Sequence, residues 1–345
     1  MIQPRHASRC ESPIFIIGTE RSGSNLLRLI LNAHSRIVVP HPPHFMRYLA
    51  PVARSYGDLS LGKNRRALVR DALRLLRVHI HPWSGSIDQE RVVAEASPTL
   101  FGVVAAIYEQ HRVAAGATRW ACKSTFMVDH TGDVLAEYPA ARFLWLVRDP
   151  RDVAASARQS VFGPYHPRLS GLLWREQQER ALAALEAHGE RVVHLVRYED
   201  LVARPDEEVR RLCLFLGEAF EPAMLEHHRH AAARQIAALS ESWQNAARPI
   251  NPDSVGRHRG ALTGEERAAV ERAAGPLMAR LGYAPHPVSE AEGPPTLAVR
   301  AADLSMRLRV EARSMVRDDN HWRRWRRDAT VRWMQAVRRA RGEAR

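Results

Sequence analysis

Short apolar runs alternate with longer amphipathic stretches along most of the chain. The runs have the length and continuous hydrophobicity of strands that are buried on both faces of a sheet, and they lie at 14–17, 37–39, 120–122, 142–147 and 191–196. The stretches between them repeat apolar residues with a helical period and lie at 24–33, 65–79, 98–114, 131–138, 150–159, 171–188 and 207–215. This alternation predicts an α/β fold in which helices cover both faces of a central parallel sheet.

The loop after the first predicted strand carries the clearest chemical signal. The chain here reads PIFIIGTERSGSNLL, the outline of a strand, a phosphate-binding loop and a helix N-terminus. Gly18 and Gly23 have the spacing of a nucleotide-triphosphate P-loop, but Ser24 and Asn25 stand where that loop needs Lys and then Ser or Thr. The cation of the loop is Arg21 instead. The loop is therefore suited to bind an anionic ester through backbone N–H groups, two serines and one guanidinium, without metal-assisted phosphoryl transfer.

A second candidate phosphate site follows the predicted strand at 142–147. Arg148 begins the run Arg-Asp-Pro-Arg-Asp-Val, and Pro150 suits the first position of a helix. Ser156 then lies about two turns into that helix. An Arg and a hydroxyl in these positions can clamp a phosphate. The alternative interpretation of the same run is a helix start with surface ion pairs.

Two further segments complete an ordered set of four motifs. The run RYEDL, which contains Tyr198, follows the last predicted strand, and the run SVGRHRG contains Arg257 and Gly260. Together with the two loops, these segments resemble the sulfotransferases that use 3′-phosphoadenosine 5′-phosphosulfate (PAPS). The spacing of eight from Arg148 to Ser156 also matches the pattern of that family.

The resemblance implies a fold, a reaction and a set of binding residues. The fold is a P-loop-like three-layer α/β domain. The reaction is a metal-independent, in-line transfer of a sulfuryl group from PAPS to a hydroxyl or amine, which leaves 3′,5′-adenosine bisphosphate. An Arg in place of Lys in the first loop is similar to the bacterial, tyrosyl-protein and carbohydrate branches. The residues assigned by resemblance are Arg21, Ser22, Gly23, Ser24 and Asn25 for the 5′-phosphosulfate, Arg148 and Ser156 for the 3′-phosphate, and Tyr198, Arg257 and Gly260 in the later turn and the closing loop.

Five side chains are candidates for the catalytic step. Arg21 can neutralise the bridging oxygen of the leaving phosphate, and Lys123, which follows the third predicted strand, is a second such cation or else a surface Lys. For the base that removes the acceptor proton, His44 is favoured over His41 because it begins the helix after the second strand. Glu95 is the rival base. The alternative for both histidines is a Pro-stiffened loop with solvent-exposed rings.

Composition limits the classes of ligand and the cellular location that the protein can be expected to have. The net charge of +13 suits an anionic ligand or partner, but Lys63 and Lys123 are the only lysines. This preference for Arg is typical of base composition in a high-GC bacterium, so the charge is weak evidence for nucleic acid. Cys10, Cys122 and Cys213 are scattered and form no CxxC pair, which predicts reduced thiols and no metal site. Without an apolar leader or a run of roughly 20 apolar residues, the protein is expected to be cytoplasmic.

The remaining segments predict a domain arrangement. Residues 1–285 are expected to form the sulfotransferase-like domain, in which 40–116 is a helical insertion that covers the acceptor. The Pro-, Gly- and Glu-rich stretch at 286–295 predicts a linker. Residues 296–345 contain 14 Arg and six acidic residues, which predicts a basic amphipathic helical tail.

The tail carries a stripe of Trp322, Trp325 and Trp333 among arginines. Such a helix could lie on an anionic membrane, contact a second subunit or an acidic partner, or touch nucleic acid. It could also pack its Trp face back on the domain.

Two other functional classes compete with the sulfotransferase hypothesis. A kinase-like P-loop phosphotransferase would need the missing Lys-Ser/Thr pair and an acidic magnesium ligand where Arg148 stands. A non-catalytic anion- or nucleic-acid-binding protein would leave both phosphate loops unexplained. For the acceptor, a small molecule, a glycan and a lipid headgroup all stay open.

Overall fold

The strands lie where the apolar runs predicted them. The computed structural model describes residues 8–81, 83, 85–158, 160–239, 245–283, 294–318 and 320–343. Within these ranges the strands are β1 (Ile14–Gly18), β2 (Ile37–Val38), β3 (Arg119–Cys122), β4 (Arg142–Val147) and β5 (Val193–Arg197). Each boundary falls within two residues of its prediction.

The strands form one parallel sheet in the order β2-β3-β1-β4-β5. Ile37 pairs with Arg119, Ile14 with Ala121, and Phe143 with Val193. Parallel neighbours need long crossover connections, which the helices supply as they flank the sheet. The predicted α/β fold is confirmed.

Helices occupy most of the remaining described chain. Residues 40–116 are largely helical, as predicted, while their role as a cover for the acceptor stays a prediction. Among the described helices, none combines the length and the hydropathy needed to cross a membrane. The α-helices are α1 (Ser24–Asn32), α2 (Phe45–Leu49), α3 (Gly62–Arg77), α4 (Gln89–Glu95), α5 (Leu100–Ala114), α6 (Thr131–Glu137), α7 (Pro150–Arg158), α8 (Pro167–His188), α9 (Tyr198–Ala203), α10 (Pro205–Leu216), α11 (Ala231–Leu239), α12 (His258–Ala261), α13 (Gly264–Ala274), α14 (Pro276–Arg280), α15 (Leu297–Arg317) and α16 (His321–Glu343). Short 3₁₀ helices lie at Ala50–Tyr56, Thr125–His130, Pro222–Met224 and His227–Arg229.

The chain divides into two compact units, and the first has an aromatic core. This unit comprises the described parts of Met1–Phe15, His34–Arg142 and Asn320–Arg345. Its Trp120 is fully buried, with the ring stacked on Tyr108 at a centroid distance of 4.8 Å. Such a ring pair adds to the free energy that its burial contributes.

The second unit comprises the described parts of Ile16–Ala33 and Phe143–Asp319. In its core the fully buried Trp174 of α8 donates a hydrogen bond from Nε1 to the carbonyl oxygen of Arg148 at 2.9 Å. The end of β4 is thereby fixed to a helix. Thr263 is the N-cap of α13 and forms a reciprocal capping box with Glu266.

The segment 296–345 contributes one helix to each unit. Helix α15 belongs to the second unit, whereas α16 belongs to the first and packs against α3. In α16, Met334 is buried and the guanidinium of Arg338 pairs with the buried Asp71 of α3 at 2.6 Å. Both helices fall in the range predicted to be helical, but α16 is an integrated part of the first unit. Most of the predicted linker, 286–293, lies outside the described residues.

Candidate functional site

Two glycines let the loop after β1 pass close to its neighbours in the second unit. Gly18 has a φ of 128°, and a Cβ there would lie 2.2 Å from the carbonyl oxygen of Leu146. Gly23 has a φ of 96°, and a Cβ there would lie 2.4 Å from the ring of Tyr198. A residue with a side chain would therefore be both strained and too close at either position. The ring of Tyr198, at the start of α9, lies directly against the loop.

Arg21 combines a strained backbone with a partly buried charge. Its φ is 70°, in the left-handed region that residues other than glycine rarely adopt. Its Nε donates a hydrogen bond to the Oγ of Ser156 on α7 at 3.1 Å. Burial lowers the pKa of the guanidinium to about 10, with Glu20 opposing the shift and Arg148 adding to it. At this pKa the side chain stays charged at neutral pH.

The end of the loop is suited to bind an anion. Gly23 is the N-cap of α1, so no side-chain hydrogen bond caps the first turn that begins at Ser24. The Oγ of Ser22 is buried and has no hydrogen-bond partner among the described residues. Uncapped N–H groups and an unpaired buried hydroxyl cost free energy unless a ligand pairs with them. A phosphate or sulfate group would satisfy both. Asn25, by contrast, accepts a hydrogen bond from Nε of Arg28 at 3.0 Å.

Arg148 links the first loop to the closing loop at 254–260. Its Nη1 donates to the carbonyl oxygen of Arg21 at 3.1 Å, and its Nη2 donates to the carbonyl oxygen of Ser254. The guanidinium also lies over the ring of Tyr198, 4.4 Å from its centroid. The Nε is buried and has no partner in the described chain. A buried guanidinium donor without a partner costs free energy unless a ligand accepts a hydrogen bond from it.

Asp152 is a residue that sequence reasoning missed. Its carboxylate is almost fully buried and accepts hydrogen bonds from the backbone N–H groups of Gly256 at 2.8 Å and His258 at 2.9 Å. The Nδ1 of His258 lies 2.9 Å from the same carboxylate. The closing loop is thereby fixed to the first turn of α7. An acidic residue in a first turn is common for electrostatic reasons alone, so the pattern gave no signal of this contact.

The two residues assigned to the closing loop lie at α12. Arg257 directly precedes this helix and Gly260 lies within it, and both are exposed. Their hydrogen bond runs from the N–H of Gly260 to the carbonyl oxygen of Arg257. Their contact with a phosphate stays a prediction.

His44, in the first unit, is strained in the same way as Arg21. Its φ is 55°, and these two are the non-glycine residues with positive φ in the described chain. Backbone strain of this kind concentrates at functional positions. The Nδ1 of His44 lies 2.9 Å from the Oγ of Ser124. Burial lowers the pKa of His44 well below its usual value, and the positive charges of Lys123 and Arg47 lower it further.

The two rival bases have different surroundings in the first unit. His41 is buried, with its Nδ1 2.7 Å from Nε2 of His79. Glu95 ends α4 on the surface, where it forms an ion pair with Arg91 one turn earlier at 2.8 Å. His44 lies close enough to Lys123 for that positive charge to lower its pKa. These contacts favour His44 as the base.

A comparison with known protein families identifies the family of this chain. A family model described as "Sulfotransferase family" matches residues 13–222, which include β1, β4, β5 and the loop that follows each. The chain belongs to the sulfotransferase family. The resemblance stated from the motifs and the prediction of a sulfotransferase enzyme are both confirmed.

Several relatives of this sulfotransferase carry specific names. Nodulation protein NoeE of Sinorhizobium fredii is 26% identical over 309 residues, which cover 80% of this chain and 68% of that protein. Protein-tyrosine sulfotransferase A of Caenorhabditis elegans is 23% identical over 285 residues, which cover 79% of this chain and 67% of that protein. The omega-hydroxy-beta-dihydromenaquinone-9 sulfotransferase Stf3 of Mycobacterium bovis is 25% identical over 327 residues, which cover 80% of this chain and 76% of that protein.

Proposed function

We propose that this sulfotransferase transfers the sulfuryl group of PAPS to a hydroxyl or amine of an acceptor. The observation that carries the proposal is a set of buried donors without partners in the second unit, at the Oγ of Ser22 and the Nε of Arg148. Both belong to loops that resemble the donor-binding loops of the family. Two separate unsatisfied donors are consistent with a ligand that carries two anionic groups.

The proposed donor contacts divide between the two loops. The uncapped start of α1 favours a phosphate or sulfate at the first loop. Arg148 is the proposed partner of the 3′-phosphate, with Ser156 beside it. The full proposed set is Arg21, Ser22, Gly23, Ser24 and Asn25 for the 5′-phosphosulfate, and Arg148, Ser156, Tyr198, Arg257 and Gly260 for the 3′-phosphate and its surroundings.

The proposed chemical step is an in-line displacement at sulfur. The acceptor oxygen or nitrogen bonds to sulfur while the bond from sulfur to the bridging phosphate oxygen breaks, and the acceptor loses its proton to a base. Negative charge grows on the bridging oxygen, where the charged Arg21 stabilises it and Lys123 is the second candidate. Because a guanidinium supplies this charge, we expect turnover without a divalent metal.

His44 is the proposed base. Its lowered pKa keeps the imidazole neutral at pH 7, the form that accepts a proton. Ser124 contacts Nδ1, so Nε2 is the nitrogen that would take the acceptor proton. Ser124 is thus a positioning residue for the ring.

The proposed acceptor is a small molecule, a glycan or a lipid. The named relatives include a protein-tyrosine sulfotransferase and a dihydromenaquinone sulfotransferase. The family therefore accommodates acceptors of different size and polarity. The helical segment 40–116 is the proposed cover of the acceptor.

A thermal-shift comparison tests the donor class. With EDTA present, 3′,5′-adenosine bisphosphate should raise the melting temperature, because a ligand that binds only the folded state stabilises it. ATP with magnesium should raise it less. A larger shift with ATP and magnesium would favour the kinase-like alternative, and no shift with either ligand would favour a protein without a nucleotide donor.

A further inference from the structure

Helix α15 exposes an apolar stripe along its outer side. Leu297, Leu304, Leu308 and Met315 are spaced by four or seven residues, which places them on one face of a helix. Each is more than half exposed, from 54% for Leu304 to 85% for Leu297. Single exposed apolar residues are ordinary, but an aligned row marks an interaction surface.

The opposite side of α15 is held within the second unit. Asp303 accepts hydrogen bonds from the backbone N–H groups of Tyr165 and His166 at 2.7 and 2.8 Å. Ser314 on this side is buried. The helix is therefore anchored by one face, and its apolar stripe is the other.

Helix α16 repeats this arrangement within the first unit. Trp322 and Trp325 are 63% and 61% exposed, and their rings form an edge-on pair with centroids 6.3 Å apart. Val331 and Met334 on the other side are buried. Trp322 and Trp325 therefore face outward, whereas the ring of Trp333 lies against the guanidinium of Arg74 on α3, 4.8 Å from its centroid.

Arginines flank both apolar faces. On α15, Arg300 and Arg307 lie to one side of the stripe and Arg309 to the other, and all are exposed. On α16, Arg323 and Arg326 are exposed beside the Trp pair. A second copy of the chain seated on either face would bring guanidinium groups against guanidinium groups. Charge complementarity instead favours an occupant with an anionic surface and an apolar interior, and an anionic lipid bilayer has both.

We propose that the outer faces of α15 and α16 bind an anionic lipid bilayer. Leucine side chains would enter the boundary between headgroups and acyl chains, and tryptophan rings would lie at the headgroup level. The flanking arginines would contact lipid phosphates. The proposal applies to each helix separately and does not depend on the identity of the sulfuryl acceptor.

Vesicle co-sedimentation of the full chain tests the proposal. The protein should sediment with vesicles of phosphatidylcholine mixed with phosphatidylglycerol, and much less with phosphatidylcholine alone. Added salt should weaken the binding, because exposed charges are screened over about 10 Å at 0.1 M. The same protein should remain monomeric by analytical ultracentrifugation without lipid.

Two pairs of substitutions locate the surface. Trp322→Ser with Trp325→Ser, and Leu304→Ser with Leu308→Ser, should each lower partitioning to the anionic vesicles by roughly tenfold or more. Leu214→Ser, at an 83% exposed leucine of α10, is the matched control and should bind like the wild type. Unchanged melting temperatures would show that all variants are folded.

Three results would overturn the proposal. The first is a wild-type protein that stays in solution with anionic vesicles, and the second is vesicle binding that both pairs leave unchanged. The third is a wild-type dimer that the substitutions convert to a monomer, since this would assign the faces to a second copy. A single pair without effect would overturn the proposal for its helix.

Discussion

Arg21 and Ser156, 135 residues apart in the chain, are joined by a hydrogen bond of 3.1 Å from Nε to Oγ. The resemblance assigned the first to the 5′-phosphosulfate and the second to the 3′-phosphate. Their contact means that the guanidinium is within reach of a phosphate that Ser156 binds. A substitution of Arg21 or Ser156 is therefore expected to alter the position of the other side chain.

Substitutions at this pair should separate chemistry from binding. Arg21→Ala should lower turnover more than affinity for 3′,5′-adenosine bisphosphate, because charge on the bridging oxygen grows in the transition state. Ser156→Ala should mainly lower that affinity, by about 1 kcal/mol for one hydrogen bond. The measurements are the rate of bisphosphate release from PAPS and the dissociation constant by calorimetry. A normal rate with poor affinity in Arg21→Ala would make Arg21 a binding residue only.

Asp152 should control the closing loop. Asp152→Asn keeps the shape but loses the charge that accepts hydrogen bonds from Gly256 and His258. We expect a loss of about 1.5–3 kcal/mol in the free energy of unfolding, typical of hydrogen bonds to a charged group, and weaker bisphosphate binding. Urea unfolding and calorimetry measure the two effects.

The control for Asp152 is another acidic residue in a first helical turn. Asp206 of α10 is exposed and forms a surface ion pair with Arg210. Asp206→Asn should change the free energy of unfolding by no more than about 0.5 kcal/mol. Equal effects at Asp152 and Asp206 would contradict the role assigned to the closing-loop contacts.

The loops that follow the strands could be predicted because their signals are local. The backbone at Gly18 and Gly23 has positive φ and passes close to Leu146 and Tyr198, so both positions need glycine. The glycines themselves mark these positions in the sequence. Continuous apolar runs likewise marked the strands to within two residues.

Contacts between distant residues could not be predicted in the same way. The hydrogen bonds of Asp152 reach His258 across 106 positions, and no local pattern specifies them. In α16 the buried face includes Arg324 and Arg338, while Trp322 and Trp325 are exposed. Hydrophobic patterning predicts the opposite burial for these four residues, with the tryptophans inside and the arginines outside. The sequence therefore did not show which face of α16 packs on the first unit.

The ion pair between Arg338 and Asp71 should stabilise the first unit. Both side chains are buried, and the hydroxyl of Tyr56 also donates to Asp71 at 2.9 Å. Arg338→Ala removes the nearer cation of a buried carboxylate and leaves only Arg74 at 3.8 Å, which should cost about 3–5 kcal/mol in unfolding free energy. The exposed neighbour Arg339→Ala is the matched control, with an effect within about 0.5 kcal/mol. Similar melting temperatures for the two variants would contradict the integration of α16.

The pH dependence should report the environment of His44. Its pKa is depressed in the folded protein, so the ring loses its proton at lower pH than an ordinary histidine and is neutral above that value. The rate should therefore stay level from neutral pH down to about 6.5 and decline only well below it.

Substitution of His44 complements the pH profile. His44→Gln should lower the rate by roughly 10²–10⁴ while bisphosphate affinity stays close to that of the wild type. Glu95→Gln, at a surface ion pair, should remain active. An active His44→Gln beside an inactive Glu95→Gln would transfer the role of base to Glu95.

The measurement that tests the donor assignment most directly is calorimetric titration with 3′,5′-adenosine bisphosphate and with adenosine 5′-phosphate, both in EDTA. The wild type should bind the bisphosphate more tightly by about 2–4 kcal/mol, as expected for a buried phosphate with charge-assisted contacts. Arg148→Ala should remove most of that difference, while Arg151→Ala, whose guanidinium already pairs with Asp149 and Glu271, should keep it. Equal affinities of the wild type for the two nucleotides would contradict the 3′-phosphate site and with it the assignment of PAPS as donor.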